Sequence, residues 1–413
     1  APMTPQPVAA ANIAVTRLIL TDFRCYESLR LDLDARPVVL TGPNGAGKTN
    51  LLEAVSFLAP GRGLRRAQLS DIGRREAGVD PAGHDKAAIP WAVAATVTVD
   101  GETVEIGTGV VAAPPGGNQP NRRAVRIDGA DAPSQSVLGE WVHAIWLTPE
   151  MDRLFSEGAS ERRRFIDRLV FGFDAAHAEC LTGYERSMRE RARLLRDSRG
   201  GRGADPSWLG ALEDRMARAG VAVAAARLAF VARMNVACKL GVGPFPAADL
   251  RIDGEIETLL ETLPALDAED RVRFALAANR ARDTEAGRST FGAHRSDLIC
   301  RHVVKNVAAR QCSTGEQKAL LISIVLANMR LQALERGIAP ILLFDEIAAH
   351  LDEERREALF DEICASGAQA WMTGTDEALF TPLADRASYI RVSDAQLNAL
   401  SRPNALPYLN SLL

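Results

Sequence analysis

A chain of 413 residues, 47% hydrophobic and 25% charged, has the make-up of a globular protein of about two to three domains and excludes a disordered or fibrous one. Its net charge of −4 excludes attraction of nucleic acid by a whole-molecule field, so such a partner must be met by a local patch. Six scattered cysteines (Cys25, Cys180, Cys238, Cys300, Cys312 and Cys364) form no C-x-x-C pair, and no histidine pair has metal-ligand spacing, so free buried thiols of a reducing cytoplasm are expected.

Residues 1–12 read as a flexible tail, without the basic start and continuous apolar stretch of a signal peptide. Strands are expected at 13–20, 29–33 and 37–41, where apolar residues alternate or run together. A glycine-rich loop follows directly, and after it Leu51, Leu52, Val55 and Leu58 fall on one helical face. Alternation on both sides of Asp100-Gly101 predicts a hairpin over 91–110. "AAPPGGNQPNRR" is a loop by composition, while "AVRIDG" and "WVHAIWL" read as further strands, with Trp141 and Trp146 as core anchors.

From 161 to 290 the pattern turns helical. "AECLTGYERSMRERARLLRD" and the long apolar pattern from Pro206 to Leu240 predict a helical hairpin, and "AEDRVRFALAANRARD" another helix. Over 291–413 strands are expected at "DLICRHVV", "APILLFDE", "AQAWMTGTD" and "SYIRVS", with a helix opening at "STGEQK". The apolar run "ALLISIVLANM" in that helix is too short to cross a bilayer, so no membrane partner is expected and the chain reads as cytoplasmic. The fold class is α/β, with parts at 13–160 and 291–413 interrupted by a helical insertion at 161–290.

Gly42, Pro43, Asn44, Gly45, Ala46, Gly47, Lys48 and Thr49 match G-x-x-x-x-G-K-[ST] in full, between a strand and a helix as that motif requires. Glycines let backbone N–H groups converge on phosphate oxygens, and the helix adds its positive N-terminus. Lys48 is expected to reach the β- and γ-phosphates of ATP, and the Thr49 hydroxyl to ligate Mg²⁺. Such a loop needs a carboxylate at the end of another core strand. Ile341-Leu-Leu-Phe supplies the strand, Asp345 the metal-side carboxylate, and Glu346 the group that takes a proton from, or orients, an attacking water.

"STGEQK" resembles the signature motif of the ABC ATPase superfamily, L-S-G-G-Q, with Cys312 and Thr314 as departures. The resemblance implies that Ser313, Thr314, Gly315, Glu316 and Gln317 serve the nucleotide of a second copy, and that Asp352 lies in the D-loop. Read without it, the same residues make an ordinary capped helix start. "LILTDFRCYESLRLDL" resembles the first strand of the SMC-like branch and implies Arg24 and Asn50 beside the nucleotide. "LTPEMDRLFSEGASERRRFIDRLVF", "APGRGLRR" and "FGAHRSDL" resemble segments of the RecF family, with Met151, Ala293 and Ser296 as departures.

The resemblance to the RecF family spans most of 13–395 and is weakest at 170–285. It implies an ABC/SMC-type P-loop ATPase head, at 13–160 and 291–413, with an inserted helical arm subdomain at 161–290. It further implies a weak DNA-dependent ATPase that dimerises on DNA, duplex and single-stranded, at gap junctions. Such a protein acts with RecO and RecR in recombinase loading, replication restart and support of the SOS response. Glu150 stands where SMC-like proteins carry a glutamine, and Gly374-Thr375-Asp376 where transporter ATPases carry a switch histidine, so slow turnover is expected.

DNA contacts are expected from Arg62, Arg65, Arg66, Arg162 and Arg163. Residues 161–202 hold 11 arginines against 7 acidic residues. Solvated helix faces explain such a count equally well. His294 and His350 read as structural. Two other functions stay open: a transporter's nucleotide-binding subunit, against which the helical insertion stands, and an SMC-type tether, whose arms need longer heptad runs than 161–290 affords.

Overall fold

The computed structural model describes residues 11–74, 89–110, 122–197, 205–349 and 351–400. The chain forms two compact units, Ala1–Met151 with Met329–Leu413, and Asp152–Asn328. The expected tail, most of the "AAPPGGNQPNRR" loop and His350 lie outside the described residues.

The first unit opens with β1 (Ala11–Phe23) and β2 (Tyr26–Asp32), antiparallel with Leu18 opposite Leu31. Fully buried β3 (Val38–Thr41) then runs into the glycine loop and α1 (Lys48–Ser56). The hairpin of β4 (Ala92–Val99) and β5 (Glu102–Val110) turns at Asp100 and Gly101, with φ of 49° and 84°. Two left-handed residues are what an Asp-Gly hairpin turn supplies. Next come β6 (Arg123–Ile127), β7 (Ala130–Asp131), α2 (Leu138–Trp141) and β8 (Ala144–Leu147). The strand expected from Trp141 begins only at Ala144, because Trp141 closes α2. Leu51, Leu52 and Val55 of α1 are fully buried in a core with Leu20, Phe23 and Trp91. Each such side chain contributes about 1.5–3 kcal/mol of burial.

The second unit contains α3 (Ala159–Phe171), α4 (Ala175–Asp197) and α5 (Pro206–Lys239), then β9 (Ala248–Asp253). It continues through α6 (Glu255–Leu260), α7 (Ala265–Ala278), α8 (Arg280–Ala286), β10 (Asp297–His302) and β11 (Val307–Ala308). The helix α9 (Thr314–Arg336) carries the chain past Asn328. The expected α4–α5 hairpin is present, packed around Tyr184, Met216, Val223 and Ala224. Pro206 starts α5, with the Asp205 carboxylate accepting from Ser207 N at 2.8 Å. By length and composition α5 is apolar enough to cross a membrane. It also buries Glu213 and Arg227, both ion-paired, as a helix inside a polar-crosslinked core does.

The segment read as purely helical contains β9, which pairs antiparallel with β10, Leu250 opposite Cys300. Its burial alternates strictly, the period-2 pattern of a half-buried strand. This pairing ties residues beyond 290 to the helices, so the compact unit is wider than 161–290 at both ends.

Back in the first unit come β12 (Ile338–Ala339), β13 (Ile341–Phe344), α10 (Glu353–Ser366), β14 (Ala370–Gly374), β15 (Ser388–Ser393) and β16 (Gln396–Leu400). Two sheets result. One orders β12-β1-β4-β5-β6-β7 with β2 beside β1; the other orders β16-β15-β3-β14-β13-β8. Strands β15, β3, β14, β13 and β8 are parallel, so the loops after β3 and β13 leave the same edge of the sheet. Ligand sites of parallel sheets lie outside that carboxyl edge. The Gln369 amide joins the two sheets, accepting from Val15 N at 2.8 Å and donating to Val15 O at 3.1 Å.

Candidate functional site

The glycine loop is fixed by contacts only glycine permits. Gly42 has φ 139°, and a Cβ there would lie 2.1 Å from Val392 O. Gly47 has φ 111°, and a Cβ would meet Tyr26 Oη at 2.6 Å. Tyr26 Oη donates to Gly47 O at 3.1 Å, and Ala395 N to Ala46 O at 3.2 Å. Pro43, Asn44 and Gly45 are exposed at the rim. Lys48 is buried beneath, its Nζ donating to Gly42 O at 2.7 Å and Pro43 O at 2.9 Å. Burial pushes its pKa down, against the opposing pull of Glu346 and Asp345. A buried ammonium hydrogen-bonded to loop carbonyls is poised to exchange them for a more negative ligand.

Thr49 and Asp345 are in contact, and both Asp345 and Glu346 act electrostatically on Lys48. Thr49 Oγ1 donates to the Asp345 carboxylate, 3.0 and 3.1 Å from its two oxygens. A hydroxyl and a carboxylate in contact, beside a phosphate cradle, are the oxygen donors a Mg²⁺ ion takes. Glu346 is half-buried, with φ 52°. That left-handed conformation costs a non-glycine residue about 1–2 kcal/mol. Thr373 was not singled out from the sequence, where "AWMTG" reads as one more buried strand. Fully buried on β14, it donates from Oγ1 to Asp345 Oδ1 at 2.7 Å and accepts from Glu346 N at 2.8 Å.

In the second unit the signature-like turn is a capping box. Ser313 N donates to Glu316 Oε2 at 3.0 Å, and Glu316 N to Ser313 Oγ at 3.4 Å. The Glu316 carboxyl is held down at about 2 by its hydrogen bond to Lys305 and then by Ser313. Ser313, Thr314 and Gly315 are exposed. Gln317 is not free for a ligand: it is buried, donates to Cys312 O at 3.0 Å and accepts from Ser156 Oγ at 3.0 Å. In the first unit, Asp352 caps α10 by accepting from Arg355 N at 2.8 Å.

Residues 14–397 match the family model of the RecF/RecN/SMC N-terminal domain. The chain is 48% identical over 387 residues to the DNA replication and repair protein RecF of Rhizobium rhizogenes, covering 92% of this chain and 97% of that one. It is 47% identical over 384 residues to the RecF of Mesorhizobium japonicum, with the same coverage. The chain belongs to the RecF family. Its fold is shared with the solved recombination mediator protein RecF-ATPrS in the RecFOR pathway, at 18% identity and TM-score 0.79, over 95% of this chain and 100% of that one. A RecF-ATP structure from the same pathway gives 19% identity and TM-score 0.75, over 94% and 100%.

The arginines expected at nucleotide or DNA divide sharply. Arg24 is bidentate to Glu53 at 2.9 and 2.7 Å and donates to Asp71 O at 2.8 Å. Glu53, fully buried on α1, requires that cation. Arg65 joins them, donating to Asn50 Oδ1 at 2.8 Å with Glu53 Oε2 at 3.4 Å. Arg66 is exposed with φ 57°. Arg62 is exposed and without a hydrogen bond or ion pair among the described residues. Cys25 is an exposed thiol rather than a buried one, accepting from Asn50 Nδ2 at 3.1 Å.

The two RecF-like segments of the second unit are partners of each other. Arg162 is bidentate to Asp297 at 2.8 Å on both arms, and Arg163 donates to Ser296 O at 2.7 Å. Buried Arg227 spans Asp167, at 2.7 and 2.8 Å, and Ala293 O at 2.8 Å. His294 accepts from Tyr184 Oη at 2.7 Å and donates to Ser289 O at 3.0 Å, a structural role. Arg162 and Arg163 therefore clasp the arm through these bonds. Arg162→Ala is expected to destabilise this unit by about 2 kcal/mol, since it strands Asp297. Denaturant unfolding checks this; unchanged stability with weakened DNA binding would favour the DNA role.

Proposed function

We propose that this chain is an ATP-hydrolysing, DNA-binding protein of gap repair and replication restart, its nucleotide state setting how long it stays on DNA. The observation that carries the reading is the convergence of Lys48, Thr49, Asp345 and Glu346 at one sheet edge. The loop N–H groups and Lys48 bind the phosphates of ATP. Thr49 and Asp345 would hold Mg²⁺, which would supply neutralising charge beside the phosphates. Glu346 takes the proton of the attacking water. With Gly374 where a switch histidine stands in transporter ATPases, turnover is slow.

Exposed Ser313, Thr314 and Gly315 serve the nucleotide of a second copy, so ATP closes a homodimer. Ser313→Arg is expected to block ATP-dependent dimerisation with ATP affinity unchanged, read by light scattering and calorimetry. Loss of nucleotide affinity in the monomer would mean the turn acts in cis. Arg62 is the favoured phosphate contact, and binding follows the DNA backbone with little sequence preference. RecO and RecR are the partners, recombinase loading and the SOS response the setting, and the cytoplasm the location, all carried over from the family.

The test is DNA binding of the purified protein with ATP, ADP and no nucleotide, with sizing in each state. ATP-specific, dimer-linked binding is expected. Binding indifferent to nucleotide would overturn the reading.

A further inference from the structure

We infer that Thr373 is a positioning residue that sets the metal-side carboxylate and the general base in one register through a single hydroxyl. The inference rests on the ATPase reading above. Thr373 lies on β14, between the strand that delivers the glycine loop and the strand that delivers Asp345. It stands opposite Leu40 on β3, and its predecessor Met372 stands opposite Phe344 on β13. Its side chain is fully buried, so its hydroxyl must find partners within the protein.

A hydroxyl has one proton and two lone pairs. The proton goes to Asp345 Oδ1, 2.7 Å away, because a carboxylate only accepts. A lone pair takes the Glu346 N–H, 2.8 Å away. Both bonds are made at once by one atom, and each fixes something the chemistry needs. The first orients the Asp345 carboxylate independently of Thr49, whose own hydroxyl is shared between the two carboxylate oxygens. The second pins the peptide plane that opens Glu346 and so steadies its φ of 52°. Asp345 and Glu346 are adjacent, and Thr373 bonds to the side chain of one and the backbone of the other.

The test uses the full chain with Thr373→Val, which keeps shape and loses the hydroxyl, and Thr373→Ser, which keeps the hydroxyl. Single-turnover ATP hydrolysis is measured first. ATP affinity with Mg²⁺ and with EDTA is then measured by calorimetry in a Glu346→Gln background. Thr373→Val is expected to slow hydrolysis about tenfold or more and to shrink the gain in affinity that Mg²⁺ gives, with affinity in EDTA unchanged. Thr373→Ser is expected to restore both. Should the valine variant not fold, Thr373→Ala takes its place. Wild-type behaviour of the valine variant, or equal impairment of the serine variant, would overturn the inference. If Glu346→Gln stops hydrolysis while Thr373→Val does not, only this inference falls. If the wild-type chain neither binds nor hydrolyses ATP, the ATPase reading falls and takes it along.

Discussion

Glu346→Gln is expected to slow ATP hydrolysis at least about 100-fold while leaving ATP binding intact and the closed dimer long-lived. The substitution changes one atom of the side chain and removes its ability to take a proton. It leaves the local geometry alone, because the bond that holds the residue at φ 52° comes from its backbone N–H to Thr373. Glutamine meets the same left-handed strain as glutamate, so stability is little changed. Lys48 keeps its loop carbonyls, and Thr49 keeps Asp345. Single-turnover kinetics and light scattering with ATP measure the two halves of the expectation. Hydrolysis at the normal rate would refute the role given to Glu346.

Gly42→Ala carries the other large effect. Its Cβ would sit 2.1 Å from Val392 O, a backbone atom of the neighbouring strand β15, at a φ of 139° that alanine rarely adopts. Neither the strand nor the loop yields cheaply, so about 3 kcal/mol or more of stability is expected to be lost. Nucleotide affinity is expected to fall more than about 100-fold, because Gly42 O is also the carbonyl that seats Lys48. Gly45→Ala is the internal control. Apart from its own chain neighbours, no heavy atom of the described residues lies within 4 Å of its Cβ position, leaving the strain of φ 81°, about 1 kcal/mol. Denaturant unfolding and ATP titration of the two variants check both expectations. An affinity for ATP in Gly42→Ala equal to that of Gly45→Ala would count against the cradle.

The buried strands β3 and β13 and the turns that follow them were legible because each rests on local chemistry. Ile341-Leu-Leu-Phe is apolar throughout since β13 is buried on both faces, and Asp345 comes where the strand ends. Glycines at 42 and 47 announce backbone that no other residue adopts. The β9 strand was hidden because its pattern covers six residues inside long helices, and its partner β10 lies beyond them. Glu53 and Thr373 were hidden for another reason. Their roles come from partners 29 and 28 residues away, Arg24 and Asp345, and spacing along one sequence cannot encode that. The Arg162 partner was hidden in the same way, since nothing near it announces Asp297.

Arg162 and Asp297 are 135 residues apart, and between them run all of α4 to α8 and β9. The clasp closes a long loop, so its entropy cost falls on the last partner to arrive. During synthesis the early helices can form and pair as soon as they emerge. Asp167 can find Arg227, but Arg162 has no carboxylate and β9 no neighbouring strand until β10 has left the ribosome. Until then the nascent unit exposes an unpaired strand edge, the state in which chains most readily stick to one another. Completion of this unit is thus timed by its final strand, and a chain stopped short of Asp297 would be left in that vulnerable state.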